Sequence, residues 1–268
     1  MLLWDLRQGD SPLIVDVPHA GTHIPDAIAL RLTEAARGVP DTDWHVEKLY
    51  AFAGVTGATM LAATHSRYVV DLNRDPTGAA LYPGADNTEL CPTRTFGDRP
   101  IYDGAPPTER EIEARRRTYF GPYHARLAAE IERVRARHGF AVLLDGHSIR
   151  REVPRFFAGR LPDLNLGTAG GTSCDAEIEA LAVAVLGQSR DFSHVVNGRF
   201  QGGYVTRHFG RPGQRVHALQ LEMAQDCYMD EGAPRVYDPA RAQALAVVLE
   251  RLVIALSEWR PIHVRANA

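Results

Sequence analysis

The 268-residue sequence predicts one three-layer α/β domain. Short apolar, β-branched runs alternate with stretches of helical period, in the order strand, helix, strand, helix. The length suits a single domain, residues 1 to 268, with a large core. No internal repeat, low-complexity stretch or linker composition divides the chain.

The elements follow in order. "PLIVDVP" predicts a buried strand ending at a proline. "DTDWHVEKLYAFAGVTG" predicts a helix with Asp41 or Thr42 near its N-cap, and Val46, Leu49, Tyr50 and Ala53 on one face. "ATMLAATHSRYVVDLNR" holds one or two strands. Residues 75 to 107 are rich in Gly, Pro, Asp and Thr, and predict a long surface excursion of the kind that often carries function. From about Thr108 to His138 a helix is expected. Ile112, Tyr119, Tyr123, Leu127, Ile131 and Val134 share its face, and Pro122 should kink it. "FAVLLDGHS" predicts a buried strand ending in a polar turn. "TSCDAEIEALAVAVL" carries a capping-box pattern from Thr172 to Asp175 ahead of a helix. "SHVVNGRF" and "RVHALQLEMA" predict strands. "DPARAQALAVVLERLVIALSEW" predicts a final amphipathic helix with Asp238 as N-cap and Pro239 at its first position.

Composition excludes several classes of function. A formal charge of −3 offers nucleic acid or an anionic membrane no electrostatic attraction. No apolar run approaches membrane-spanning length. The start "MLLWDLRQGD" lacks the marks of a signal peptide. Cys91, Cys174 and Cys227 stand far apart without CxxC spacing, which points to a reducing compartment, the cytoplasm.

Open α/β sheets bind ligands beyond the carboxyl ends of their strands. His19 follows the first predicted strand, His147 the "AVLL" strand and Glu222 the "HALQL" strand, and the next helix opens with Asp41 and Asp43. A catalytic zinc takes about three ligands from His and Asp/Glu and leaves a position open. His19, His147 and one of Asp41 or Asp43 supply such a set. Gly21 and Gly146 suit tight turns beside an ion. Glu222 is the candidate carboxylate to move a proton from water to a leaving nitrogen. Each piece also has an ordinary reading: Asp145-Gly146 is a common turn pair, and Asp41 and Asp43 suit a helix N-terminus. Gly21 and Pro25 argue against a helix there, so His23 does not share a helical face with His19 and is expected to stand aside.

Taken together, "VPHAGTHIP", "DTDWHVEKLY", "HSRYVVDLNRDP", "YFGPYH", "LLDGHS" and "LQLEMAQDCYMDE" resemble the N-formylglutamate amidohydrolase (N-formylglutamate deformylase) family of histidine degradation, in the same order over roughly residues 11 to 258. The resemblance implies a fold with a mixed sheet between helical layers, similar to zinc-dependent exopeptidase or phosphorylase/hydrolase-like folds. It implies hydrolysis of N-formyl-L-glutamate to L-glutamate and formate. It supports metal ligation by His19 and His147, favours Asp43 over Asp41 as third ligand, and maps the general base onto Glu222. His45 has no place in this scheme. The divalent metal is expected to be Zn2+, although iron, cobalt or manganese suits the same donors.

A substrate with two carboxylates and no positive charge calls for arginine, whose planar fork grips a carboxylate with two hydrogen bonds. Arg67, Asn73 and Arg74 of "HSRYVVDLNR" are the first candidates, and Arg207 of "GGYVTRHFGRP" is a further one. Tyr123 is expected to pack rather than bind; His124 could do either. Two rival functions remain at this point: an amidase for another small N-acyl amino acid or peptide, and a non-catalytic binding protein on the same fold.

Overall fold

The computed structural model describes residues 1–82, 84–232 and 236–261. Seven strands form one sheet: β1 (Trp4–Arg7), β2 (Leu13–Val17), β3 (Thr59–Ala63), β4 (Ala141–Ile149), β5 (Leu164–Gly167), β6 (His194–Val196) and β7 (Val216–Ala224). Their spatial order is β1-β3-β2-β4-β7-β5-β6. The central strands β3, β2, β4 and β7 run parallel, whereas β1 lies antiparallel to β3 and β5 antiparallel to β7. The sheet is therefore mixed. Every residue of β2, β4 and β7 is buried, as expected of parallel strands covered on both faces.

Eight α-helices are described: α1 (Asp26–Ala29), α2 (Glu34–Arg37), α3 (Val46–Leu49), α4 (Glu109–Arg115), α5 (Gly121–His138), α6 (Ala176–Leu186), α7 (Tyr204–Phe209) and α8 (Pro239–Glu258). Side chains alternate across the sheet. Leu13, Val15 and Val17, Val142 and Leu144, and Leu219 and Leu221 pack into a core with α3, α6 and α8. Ile14, Leu143 and Ala218 point the other way, into a core with Leu127, Ile131 and Val134 of α5. These are the three predicted layers. None of the described helices is long and apolar enough to cross a membrane. All three cysteines are buried and unbridged.

Several local expectations change. The segment from Asp41 is not helical until Val46, because His45 takes a left-handed backbone (φ 63°) and the Asp43 N–H bonds to the His19 carbonyl. A 3-10 turn, Ala51–Gly54, follows α3, yet Val46, Leu49, Tyr50 and Ala53 share the expected buried face. "ATMLAATHSRYVVDLNR" yields one strand, β3, then turns. Among its described residues the 75–107 excursion has no helix or strand, but it is not wholly superficial: Leu90, Cys91, Phe96 and Ile101 are buried. Between α4 and α5 a π-helical turn, Arg116–Phe120, takes the place of a simple proline kink. Pro122 has no N–H to donate and its ring crowds the preceding turn, and the wider turn relieves both. The predicted capping box of α6 does not form. Thr172 Oγ1 donates to the Ala169 carbonyl instead, and Asp175 is the N-cap. Asp238 caps α8 as expected, accepting from Ala240 and Arg241 N–H. Strands β1 and β5 and helix α7 were not expected. Each has only four to six residues, too few to display a period.

Candidate metal centre and binding cavity

One face of the sheet changes character along the strands. On β2, β4 and β7 the α5-facing positions begin apolar with Ile14, Leu143 and Ala218. Two residues later they become polar with Asp16, Asp145 and Gln220, which are register neighbours. One further step brings His147 opposite Glu222. The sequence suggested that these residues follow their strands. In fact the strands continue through them: "DGHS" lies inside β4 and Glu222 inside β7. Strand pairing thus fixes His147 and Glu222 side by side on one face.

His19 stands just beyond β2, and Asp43 is tied to it by backbone. His19, Asp43 and His147 offer ligand atoms that all lie within 4.8 Å of one another, and all three residues are buried. The imidazole centroids are 4.9 Å apart. Each ring is held from behind by a buried carboxylate. His19 Nε2 is 2.8 Å from Asp71 Oδ1, and His147 Nε2 is 2.8 Å from Asp145 Oδ1. These contacts direct both Nδ1 atoms towards Asp43, the outer arrangement that orients metal-binding histidines. Asp43 Oδ2 accepts from Ser148 N–H at 3.1 Å and lies 2.9 Å from His147 Nδ1. Arg67 Nη2 donates to Asp43 Oδ1 at 2.8 Å and abuts His19 Nδ1.

Charge supports the same assignment. Three buried carboxylates, Asp43, Asp71 and Asp145, touch the two imidazoles, against one buried guanidinium, Arg67. Burial opposes ionisation of Asp43 and Asp71, but the hydrogen-bonding and charged partners around them outweigh it. Arg67 lowers Asp43 below the ordinary range, and His19 and Arg74 hold Asp71 well below it. Burial, aided by Arg67, lowers His19 and favours a neutral imidazole. Burial also opposes charge on His147, yet Asp145 and Asp43 raise it well above its ordinary value. A proton on His147 thus supplies positive charge that the site lacks. Two imidazoles, a carboxylate and surplus negative charge fit a divalent cation.

Glu222 lines the adjoining cavity, and burial pushes its carboxyl up to about 8. The cavity, about 570 Å³ with its open mouth, is lined by His19 and His147 on one side. Arg67, Asn73, Arg74, Tyr82, Arg199 and Gln220 also line it. Asn73 braces the centre, donating to Asp145 Oδ2 at 3.1 Å and accepting from Val205 N–H at 2.7 Å. Arg74 donates to Thr88 Oγ1 at 2.8 Å.

Other sequence candidates lie elsewhere. Asp41 accepts from Tyr68 Oη (2.5 Å) and Phe96 N–H (2.8 Å), outside the cluster. Arg207 does not line the cavity. It donates to the Gly202 carbonyl and faces a neighbouring cleft with Arg211. Gly203, ahead of Arg207, packs so tightly on the Asn73 carboxamide that a Cβ would collide with it. His23 pairs edge-on with His65, and His45 lies 5.5 Å from the Tyr237 ring. Tyr123 packs as expected, donating to Asp16 Oδ1 at 2.6 Å, while half-buried His124 packs on Phe120 and Phe209. Gly146 makes room for the Tyr50 ring rather than for a turn. Asp71, Arg199 and Gln220 were missed, and Asp145 was taken for part of a turn. A carboxylate closing an apolar run, as in "VVD" and "VLLD", was the available signal for the two aspartates.

The model of the family described as N-formylglutamate amidohydrolase matches residues 11–229. The chain is 46% identical over 254 residues to a protein of Pseudomonas aeruginosa named N-formylglutamate deformylase, covering 94% of this chain and 95% of that one. A Pseudomonas putida protein of the same name is 44% identical with the same coverage. The crystal structure of an N-formylglutamate amidohydrolase from Ralstonia eutropha JMP134 superposes with a TM-score of 0.82 at 28% identity, and the match covers both chains fully.

Proposed function

The chain belongs to the N-formylglutamate amidohydrolase family, and on that premise we propose that it hydrolyses N-formyl-L-glutamate to L-glutamate and formate at a divalent metal held by His19, Asp43 and His147. The observation that carries this reading is the junction of the buried His19–Asp43–His147 cluster with an arginine-lined cavity. The donor set favours zinc.

When bound, the cation supplies Lewis acidity towards the formyl oxygen and makes a neighbouring water more acidic. The remaining steps belong to the chain. Asp71 and Asp145 keep the two Nδ1 atoms aimed at Asp43. Glu222 takes a proton from the attacking water, and its raised basicity suits that role near neutral pH. The water oxygen bonds to the formyl carbon as the carbonyl electrons move to oxygen. Arg67 brings a buried positive charge to the spot where that oxygen becomes negative. Glu222 then passes the proton to the amide nitrogen as the C–N bond breaks, releasing formate and the free amine. Arg74 and Asn73 line the route and are assigned to the substrate.

The test is formate release from N-formyl-L-glutamate, with metal content measured on the same sample. We expect turnover with about one bound zinc per chain, loss of turnover on chelation, and recovery when zinc is returned. Formate release undiminished after complete metal removal would overturn the metal reading. Faster turnover of acetyl-glutamate or formyl-aspartate would instead favour an amidase of different specificity.

A further inference from the structure

The substrate has two carboxylates, and the cavity offers three guanidiniums. Arg67 is committed to Asp43 and Asp71. Among the described residues, neither Arg74 nor Arg199 is paired with a carboxylate. Arg74 is fixed by Thr88 and by the Asn73 carbonyl. Arg199 is fixed only through Nε, which donates to the Phe156 carbonyl at 2.7 Å. Its two Nη groups bond to no described protein acceptor. Its guanidinium lies 4.9 Å from the centroid of Tyr82 and 5.4 Å from that of Phe200. Such aromatic support holds a guanidinium plane in place while leaving its fork available. The residue is half-buried and lines the cavity, so a carboxylate reaching it is partly desolvated.

Arg74 and Arg199 differ in depth. Arg74 follows Asn73, which touches both Asp145 and His147, so it is anchored beside the metal cluster. Arg199 lies on the loop after β6, the edge strand, and β6 is three strands from β4 in the sheet. At about 4.8 Å per strand that is roughly 14 Å across the sheet before the loop turns back. In an N-formyl amino acid the α-carboxylate sits on the carbon attached to the scissile nitrogen. A glutamate side-chain carboxylate sits on Cγ, two carbons further out.

We propose that Arg199, held by Tyr82 and the Phe156 carbonyl, is the residue that recognises the distal carboxylate of the substrate and so selects glutamate. This rests on the deformylase reading above. Arg74 then faces the α-carboxylate. Arg207, the further candidate from the sequence, lies over the same Tyr82 ring at 5.7 Å but lines the neighbouring cleft.

The experiment compares kcat/KM for N-formyl-L-glutamate and its neutral isostere N-formyl-L-glutamine in the wild type, Arg199→Met and Arg199→Lys. The ratio of two substrates on one sample does not depend on how much of a variant is folded. The wild type should prefer the glutamate by about 100-fold, the scale of a desolvated charge-assisted pair. In Arg199→Met the ratio should fall towards one, entirely through loss on the glutamate substrate, with Arg199→Lys between. An unchanged ratio, or an equal loss on both substrates, overturns the assignment while leaving the deformylase reading intact. No formate release by the wild type overturns both.

Discussion

At the carboxyl end of the parallel strands, His19, Asp43 and His147 gather their ligand atoms within 4.8 Å; beyond the ends of β5 and β7, Asp163, Asp226 and Cys227 do the same. Both groups touch an arginine. Arg151 donates to Asp163 at 2.6 Å, to Asp226 through Nε at 2.8 Å, and to the Leu161 carbonyl at 2.8 Å, so its fork is fully used. Arg160 adds a second cation at Asp226. Two carboxylates thus meet two guanidiniums, and burial pushes the Cys227 thiol up to about 12, which keeps it protonated. The first cluster has three carboxylates against one buried guanidinium, two imidazoles backed by carboxylates, and an open cavity beside it. Proximity of ligating atoms is common to both. Outer support for the donors and the adjoining cavity distinguish the candidate metal centre.

The largest expected effect separates chemistry from metal binding within the first cluster. Glu222 is outside the ligand set but beside His147. Glu222→Gln keeps the shape and removes the proton carrier. It should lower kcat by about 10²–10⁴-fold while metal content, measured by elemental analysis, stays near one per chain. Near-normal turnover would remove Glu222 from the role. Loss of metal would make it part of the binding centre.

A smaller effect tests the outer carboxylates. Asp71→Asn or Asp145→Asn leaves every ligand in place but weakens the hold on Nε2. Zinc affinity should fall about 10–100-fold, measured by competition with a chromophoric chelator. Asp163→Asn at the second cluster should leave zinc affinity unchanged. If Asp71 and Asp145 prove as indifferent as Asp163, the distinction between the clusters fails.

These outer groups also mark the boundary of what sequence pattern could show. The three layers and the main strands follow from apolar runs such as "LIVDV" and "HALQL", whose burial on both faces leaves few alternatives. His19, His147 and Glu222 were legible because polar residues interrupt such runs, and Asp43 because of the family resemblance. The second set was hidden for a geometric reason. Asp71 backs His19 across 52 residues and Arg199 enters the cavity from the opposite edge of the sheet, so neither has a local signature. Arg207, next to conspicuous glycines, was legible and lies in the wrong cleft. Periodicity assigns a residue to a face, but only the strand order says which residues from distant segments share one cavity.

The smallest effect concerns the second cluster alone. If Arg151 is a structural cation, Arg151→Met should cost about 1–3 kcal/mol, less than a fully buried pair because Asp226 is 28% exposed. Zinc content and turnover should not change. The pH dependence gives the sign. Burial would raise Asp163, but the bonds from Ser193 and Arg151 hold it below the ordinary carboxylate value. A lowered folded-state pKa contributes stability that is fully present above the unfolded value near 4 and is lost as pH falls through the folded one. The stability gap between wild type and Arg151→Met, read from urea unfolding, should therefore be constant from about pH 5 to 7 and narrow below about pH 4. A gap that widens in acid would mean that Arg151 acts through packing of its stem rather than through the two carboxylates.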